Sequence, residues 1–263
     1  MRLGFDLDGT VADLHSALTL EARRLFPDID PAAIPNSAAP GTGPLSSEAS
    51  QDAGVSQPEE QALSFGSLSA RHQREIWNAV CDRENFWETL DEIEPGALAR
   101  LYALVQEHRW ELIFLTSRPE TRGDTAQAQS HRWLSKHGFI QPSIFVVHGS
   151  RGKIAASLAL DVIVDDRPEN CLDVAIDSSA RAILVWRDDA GNVPGSARQL
   201  GIGSVGSMSE CLDILESLDR PDSAQLGMVE RLKRLLGLKP QAARLKPAGR
   251  TATPPTTATR SAG

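Results

Sequence analysis

Five short apolar runs punctuate the chain: Leu3–Leu7, Leu112–Thr116, Ile144–Val147, Val162–Asp165 and Ala182–Trp186. Continuous apolar runs of this length, bounded by polar and turn residues, predict buried strands. Helical periodicity falls between them, over 97–108, 124–137 and 169–177. Strand–helix alternation implies right-handed crossovers and a mostly parallel sheet, so the predicted fold class is α/β with a Rossmann-like core. Ligands of such sheets gather outside the carboxyl ends of the strands. Three runs end there in residues able to do chemistry: Asp6 and Asp8, Thr116 and Ser117, and Asp165 and Asp166.

The stretch 14–95 interrupts the alternation. It holds helical patterns over 15–25 and about 69–82 and no central strand, which predicts a helical insert after the first strand. Within it, 35–58 is rich in Ala, Ser, Pro and Gly and reads as a flexible loop. Residues 1–13 and 96–220 are then the α/β core. Residues 226–237 form a basic amphipathic pattern, and the Pro-, Ala-, Thr- and Arg-rich end reads as disordered, so 221–263 stands apart as a third segment.

Charge sharpens this division. The formal net charge is -8, yet from Arg231 onward there are 8 Lys or Arg and no Asp or Glu, which leaves 19 basic against 35 acidic residues before it. An acidic body disfavours duplex nucleic acid, although the basic tail leaves that partner open. It does not oppose a small anionic substrate, because a site can be locally positive. Cys81, Cys171 and Cys211 lie far apart with no C-x-x-C pair, which argues against a disulfide framework or structural zinc and fits a reducing cytoplasm. No apolar run approaches the ~20 residues of a membrane span. Met1-Arg2 leads into a strand rather than a signal peptide, so a cytoplasmic protein without integral membrane association is expected. Oligomeric state is not legible.

Asp6 and Asp8 are two residues apart at a strand end, a spacing that sends both carboxylates to one side. Their repulsion raises at least one pKa unless a cation intervenes. The pair suits an ionised nucleophile or metal ligand beside a carboxylic acid that can give up a proton. Gly9 permits a tight turn, and the competing reading is a plain turn with Thr10 as a helix cap. The second pair, Asp165-Asp166, tips the balance, since adjacent buried aspartates need a partner and Mg²⁺ is the natural one. In Thr116-Ser117-Arg118, hydroxyls and backbone N–H groups can hold phosphate oxygens. Lys153 is a candidate cation through its place just before the last acidic pair.

These pieces in this order, D-x-D-G-T, an apolar strand ending in Thr-Ser, a lysine and a D-D pair, resemble the haloacid dehalogenase superfamily over about residues 2–190. The insert corresponds to that superfamily's helical cap. Arg24-Leu-Phe-Pro, Asn85-Phe-Trp-Glu-Thr-Leu, Glu94-Pro-Gly-Ala and Ile163-Val-Asp-Asp resemble the 5′(3′)-deoxyribonucleotidase family. Two departures, Leu14 where that family often has an aromatic residue and a longer Lys153–Asp165 spacing, bear on substrate rather than reaction. Ser117-Arg118, Trp133-Leu134 and Asp165-Asp166-Arg167 resemble polynucleotide kinase 3′-phosphatase domains.

The resemblance implies Asp6 as nucleophile and Asp8 as general acid/base. It implies Mg²⁺ held by the Asp6 carboxylate, the Asp8 carbonyl and Asp166, with Asp165 as second choice. It implies Thr116, Ser117 and Lys153 as phosphate ligands. Phe65, Trp77, Phe86 and Trp87 could stack on a base or simply form the insert's core, and Arg118 and Arg167 could meet phosphate or pair with acids. The expected function is a Mg²⁺-dependent phosphomonoesterase, a 5′-nucleotidase on (deoxy)ribonucleoside monophosphates. The alternatives are a 3′-phosphatase of nucleic-acid ends and a non-catalytic binding protein acting through the basic helix.

Overall fold

Apolar residues alternate between the two faces of each central strand, which is what builds two cores. Val162 and Val164 enter one hydrophobic cluster and Ile163 the other; Ile183 and Val185 enter the first, and Ala182 and Leu184 the second. A computed structural model of the chain describes residues 1–28 and 68–219. Its strands are β1 (Arg2–Asp6), β2 (Glu111–Thr116), β3 (Ser143–Val146), β4 (Val162–Asp165), β5 (Arg181–Val185) and β6 (Gly203–Val205). They form one 6-stranded sheet in the order β3-β2-β1-β4-β5-β6, every pair parallel.

The helices are α1 (Leu14–Leu25), α2 (Ala70–Cys81), α3 (Ala97–His108), α4 (Ala126–Lys136), α5 (Arg151–Ser157), α6 (Pro168–Asp177), α7 (Gly195–Gln199) and α8 (Met208–Asp219). Asp13, Ser69, Thr125 and Ser150 cap α1, α2, α4 and α5, each side chain accepting a backbone N–H of the first turn. The first cluster joins the sheet to α1, α2, α3, α4 and α8; α5, α6 and α7 cover the opposite face. Leu14, Leu18 and Ala22 of α1 and Ile76 and Val80 of α2 belong to the first cluster, so the described part of the insert shares the core of the sheet. Gly152 of α5 sits against α6, where a Cβ would lie 2.2 Å from the Asp173 carbonyl.

The predicted strands and helices recur with ends shifted by at most two residues. Four elements were not expected: α5, α7, β6 and α8. Strand β6 is three residues long and includes Gly203 and Ser204, too short and too polar for a pattern. Helix α8 does carry a pattern, with Met208, Cys211, Leu212 and Leu215 buried at helical spacing. Loop 35–58, Phe65, helix 226–237 and the tail lie outside the described residues. None of the described helices is long and apolar enough to cross a membrane.

The chain runs from β1 outward to β2 and β3, then crosses back to β4 on the other side of β1. The carboxyl ends of β1 and β4 therefore flank the switch point, the crevice where parallel sheets bind ligands. Asp6 ends one of these strands and Asp165 the other.

Candidate active site

The turn after β1 is rigidly held. Val11 and Ala12 donate their N–H groups to the Leu7 carbonyl at 2.9 and 2.8 Å. Gly9 has φ +84°, and a Cβ there would fall 2.1 Å from Asp166 Oδ2, so both backbone and neighbour demand glycine. Arg187, just past β5, donates to the Gly9 and Thr10 carbonyls at 2.6 and 2.9 Å. It also pairs with Glu94 at 3.0 Å, and Glu94 accepts the Met208 and Ser209 N–H groups that open α8. The turn is thus tied through Arg187 and Glu94 to the start of α8.

The two aspartates of the turn have different partners. Asp6 Oδ1 accepts from Arg151 Nη2 at 2.9 Å, and the same nitrogen donates to Ser117 Oγ at 3.2 Å. Arg151 Nε lies 3.8 Å from Asp165, while its Nη1 is buried without a hydrogen-bond partner. Asp8 accepts from Arg118 through both oxygens, with Nε at 2.9 and 3.0 Å and Nη2 at 2.7 Å, and from Thr116 Oγ1 at 3.1 Å. Across the switch point, Asp165 accepts from the Arg167 N–H at 2.9 Å and from Asn170 Nδ2, and Asp166 accepts from Thr10 Oγ1 at 3.3 Å.

Negative charge outweighs what these partners supply. Burial, then the neighbouring Asp165 charge, raise Asp6 well above the usual carboxylate range, against the pull of Arg151. Burial likewise raises Asp165, opposed chiefly by Arg151. Asp166 is pushed up to about 8 by burial and by Asp165. A shortage of positive charge among hard oxygen donors is the environment that suits Mg²⁺. Among the described residues no three His, Cys, Asp or Glu side chains converge as a ready cage. That does not conflict with Mg²⁺, which keeps several waters and takes one or two carboxylates; Asp6, Asp166 and a turn carbonyl fit that mode.

Asp6, Asp8, Thr116, Ser117, Arg118, Asp165 and Asp166 all come together at this crevice, as their strand ends implied. Lys153 does not. It is exposed on α5, and Arg151 takes the place beside Asp6 that the sequence suggested for lysine. Residues two apart on a helix point ~200° away from each other, so only one of the two can face the carboxylates. Arg151 could have been found as the first residue after the Ser150 cap, on the turn of α5 nearest the strand ends.

For Trp87 and Arg118, each left open between a substrate contact and a structural role, the structure shows the structural role. Trp87 is fully buried and donates its Nε1–H to the Pro119 carbonyl at 3.0 Å. Arg118 is 1% exposed and is spent on Asp8 and on Ser130 Oγ at 2.8 Å. The Arg118 guanidinium lies over the rings of Trp87 and Trp133, 4.9 and 5.8 Å from their centroids. Phe86 is buried as well, and Trp77 packs half-buried against the first cluster. The Arg187–Glu94 link was not foreseen, because nothing local to either residue signals it. A separate cleft of about 630 Å³ between α1 and α2 touches Leu20, Arg24 and Arg83. Its charge is matched internally, with Glu21 paired to Arg24 and Arg83, and it holds none of the candidate residues.

No protein-family profile matches the chain, and no curated protein matches it. Similar solved structures include a HAD family hydrolase from Deinococcus radiodurans R1 with bound phosphate and sodium, at 16% identity over 80% of this chain and 92% of that one, with a TM-score of 0.47. A provisionally named β-phosphoglucomutase from Thermotoga maritima has 16% identity over 82% and 98% of the two chains and a TM-score of 0.47. A hydrolase from Pseudomonas syringae has 17% identity over 84% and 100%, with a TM-score of 0.44. At these TM-scores the likenesses carry no argument about this site.

Proposed function

We propose that this protein is a Mg²⁺-dependent phosphomonoester hydrolase of the haloacid dehalogenase type, acting on a nucleotide phosphate in the cytoplasm. One observation carries the reading: Arg151 Nη1, a buried guanidinium nitrogen with no partner, stands beside the carboxylate best placed to attack phosphorus. An unpaired buried donor is costly, and a phosphoryl oxygen is the acceptor that relieves it.

Asp6 attacks phosphorus; the new Oδ–P bond forms as the ester P–O bond breaks, and the bonding pair leaves with the ester oxygen. Asp8 gives that oxygen a proton, then takes one from the water that attacks phosphorus and frees Asp6. Arg151, Ser117 and Thr116 hold the phosphoryl oxygens. Asp6, Asp166 and the Asp8 carbonyl would hold Mg²⁺, which would offset the charge of the carboxylates and the substrate. Lys153 has no part.

For the substrate, 5′-nucleoside monophosphates are the first class, on the sequence resemblance. A second class, 3′-phosphorylated nucleic-acid ends, follows from the other sequence resemblance, carried by Ser117-Arg118, Trp133-Leu134 and Asp165-Asp166-Arg167. A phosphate-release screen with Mg²⁺, covering deoxy- and ribonucleoside monophosphates, sugar phosphates and a 3′-phosphorylated oligonucleotide, tests both. Turnover that vanishes in Asp6→Asn is expected, and equal turnover in that variant overturns the reading.

A further inference from the structure

The proposed chemistry needs two carboxylates, two positions apart, to do different things. Each has its own arginine. Asp6 shares Arg151 with Ser117 through a single nitrogen. Asp8 has both oxygens engaged by Arg118 in a fork that fixes the plane of the carboxylate as well as its position. Arg118 is itself immobilised. Its third nitrogen donates to Ser130 Oγ, which donates on to the Ala126 carbonyl within α4 at 2.6 Å. Its flat face lies over two buried indoles, an arrangement that favours a guanidinium over an ammonium. Both indoles are anchored in turn, Trp87 Nε1 to Pro119 and Trp133 Nε1 to the Leu90 carbonyl at 2.7 Å. At 0% side-chain exposure, Arg118 has no surface to offer a substrate.

We infer that Arg118 is the positioning residue of Asp8: the indole-backed guanidinium holds the Asp8 carboxylate away from Asp6 and aimed at the leaving oxygen. Thr116, whose hydroxyl donates to the same carboxylate, can rotate to a phosphoryl oxygen and leave one Asp8 lone pair open for the proton; Arg118 stays. The inference rests on the phosphohydrolase reading and adds that proton transfer, more than phosphate binding, depends on a residue that never touches substrate.

The test uses the full chain as Arg118→Lys and Arg118→Ala, with p-nitrophenyl phosphate, whose leaving group needs little protonation, and an alkyl monoester that the wild type turns over. Loss of an oriented acid should lower kcat/KM on the alkyl ester by about 100-fold and on p-nitrophenyl phosphate by about tenfold or less; kcat/KM ends at departure of the alcohol and so excludes the later hydrolysis of the aspartyl-phosphate, in which Asp8 serves both esters alike. Millimolar guanidinium should restore part of the Arg118→Ala loss by entering the space between the indoles and Asp8. Equal losses of kcat/KM on both esters, or a rise in KM with kcat unchanged, would overturn the inference. A stability cycle of Asp8→Asn, Arg118→Lys and the double variant reads the clamp without turnover. The double variant should lose several degrees less in Tm than the two singles combined, since coupled pairs are not additive; simple additivity refutes the clamp. A wild type without turnover on any ester refutes the phosphohydrolase reading, and the positioning role with it, even where the cycle shows the pair.

Discussion

The charge on Asp166 makes a thermodynamic prediction that needs no substrate. Its carboxyl is raised from 3.8 to about 8 by burial and by Asp165. Between these values the unfolded chain has released this proton and the folded chain retains it. A raised folded-state pKa stabilises the fold at low pH, and the contribution is lost as pH rises toward the folded value. The slope for one proton is about 1.4 kcal/mol per pH unit. From about pH 6 to pH 7.5, the protein in EDTA should therefore lose about 2 kcal/mol through this group. At about 2–4 °C per kcal/mol for a domain of this size, that is about 4–8 °C in Tm. Asp166→Asn keeps the shape and an acceptor for Thr10 but cannot ionise, so its Tm should fall less over the same range. Removing that charge also relaxes Asp6, which Asp166 helps to raise, and this flattens the variant further in the same direction. Saturating Mg²⁺ should restore the wild type at pH 7.5 and shift the variant little. Parallel Tm curves for the two proteins in EDTA would show that Asp166 is already ionised and would refute the account of the site as short of positive charge.

Other consequences separate the residues more simply. Arg151→Met should lower kcat by roughly 100-fold or more in the phosphate-release assay, as removal of a donor to the transferred group does, while Lys153→Met should stay within about twofold of wild type. Gly9→Ala must accommodate a Cβ 2.1 Å from Asp166 Oδ2 at φ +84°; a loss of about 1–3 kcal/mol in denaturant unfolding is expected from the backbone alone, with activity lost as Asp166 is displaced. Gly152→Ala drives a Cβ into the Asp173 carbonyl at 2.2 Å and should destabilise by about 1–3 kcal/mol through the shift of α5 against α6, read as a lower urea midpoint.

Strand–helix alternation was legible because it is local: short apolar runs place β1, β2, β3, β4 and β5 within a residue or so of where they fold. The acidic pairs were legible for the same reason, since they come directly after those runs and a parallel sheet brings carboxyl ends to one edge. Helix α8 carries an apolar stripe from which it could have been read, whereas β6, with Gly203 and Ser204, has none.

What the sequence by itself determined is the edge of the sheet where the chemistry gathers and the residue types gathered there. The tertiary structure alone decided which cation serves which carboxylate. Arg151 and Lys153 are equally plausible as letters, but a helix turns ~100° per residue and only Arg151 faces Asp6. Arg118 could have met phosphate or an acid as far as the sequence shows; α4 and the turn at Phe86–Glu88 close over it and leave Asp8 as its carboxylate partner. Arg187 and Glu94 are 93 positions apart and meet only because β5 ends beside the first turn. Pairings of this kind depend on burial, which strips water from a charge and forces it to find a partner that no local pattern names.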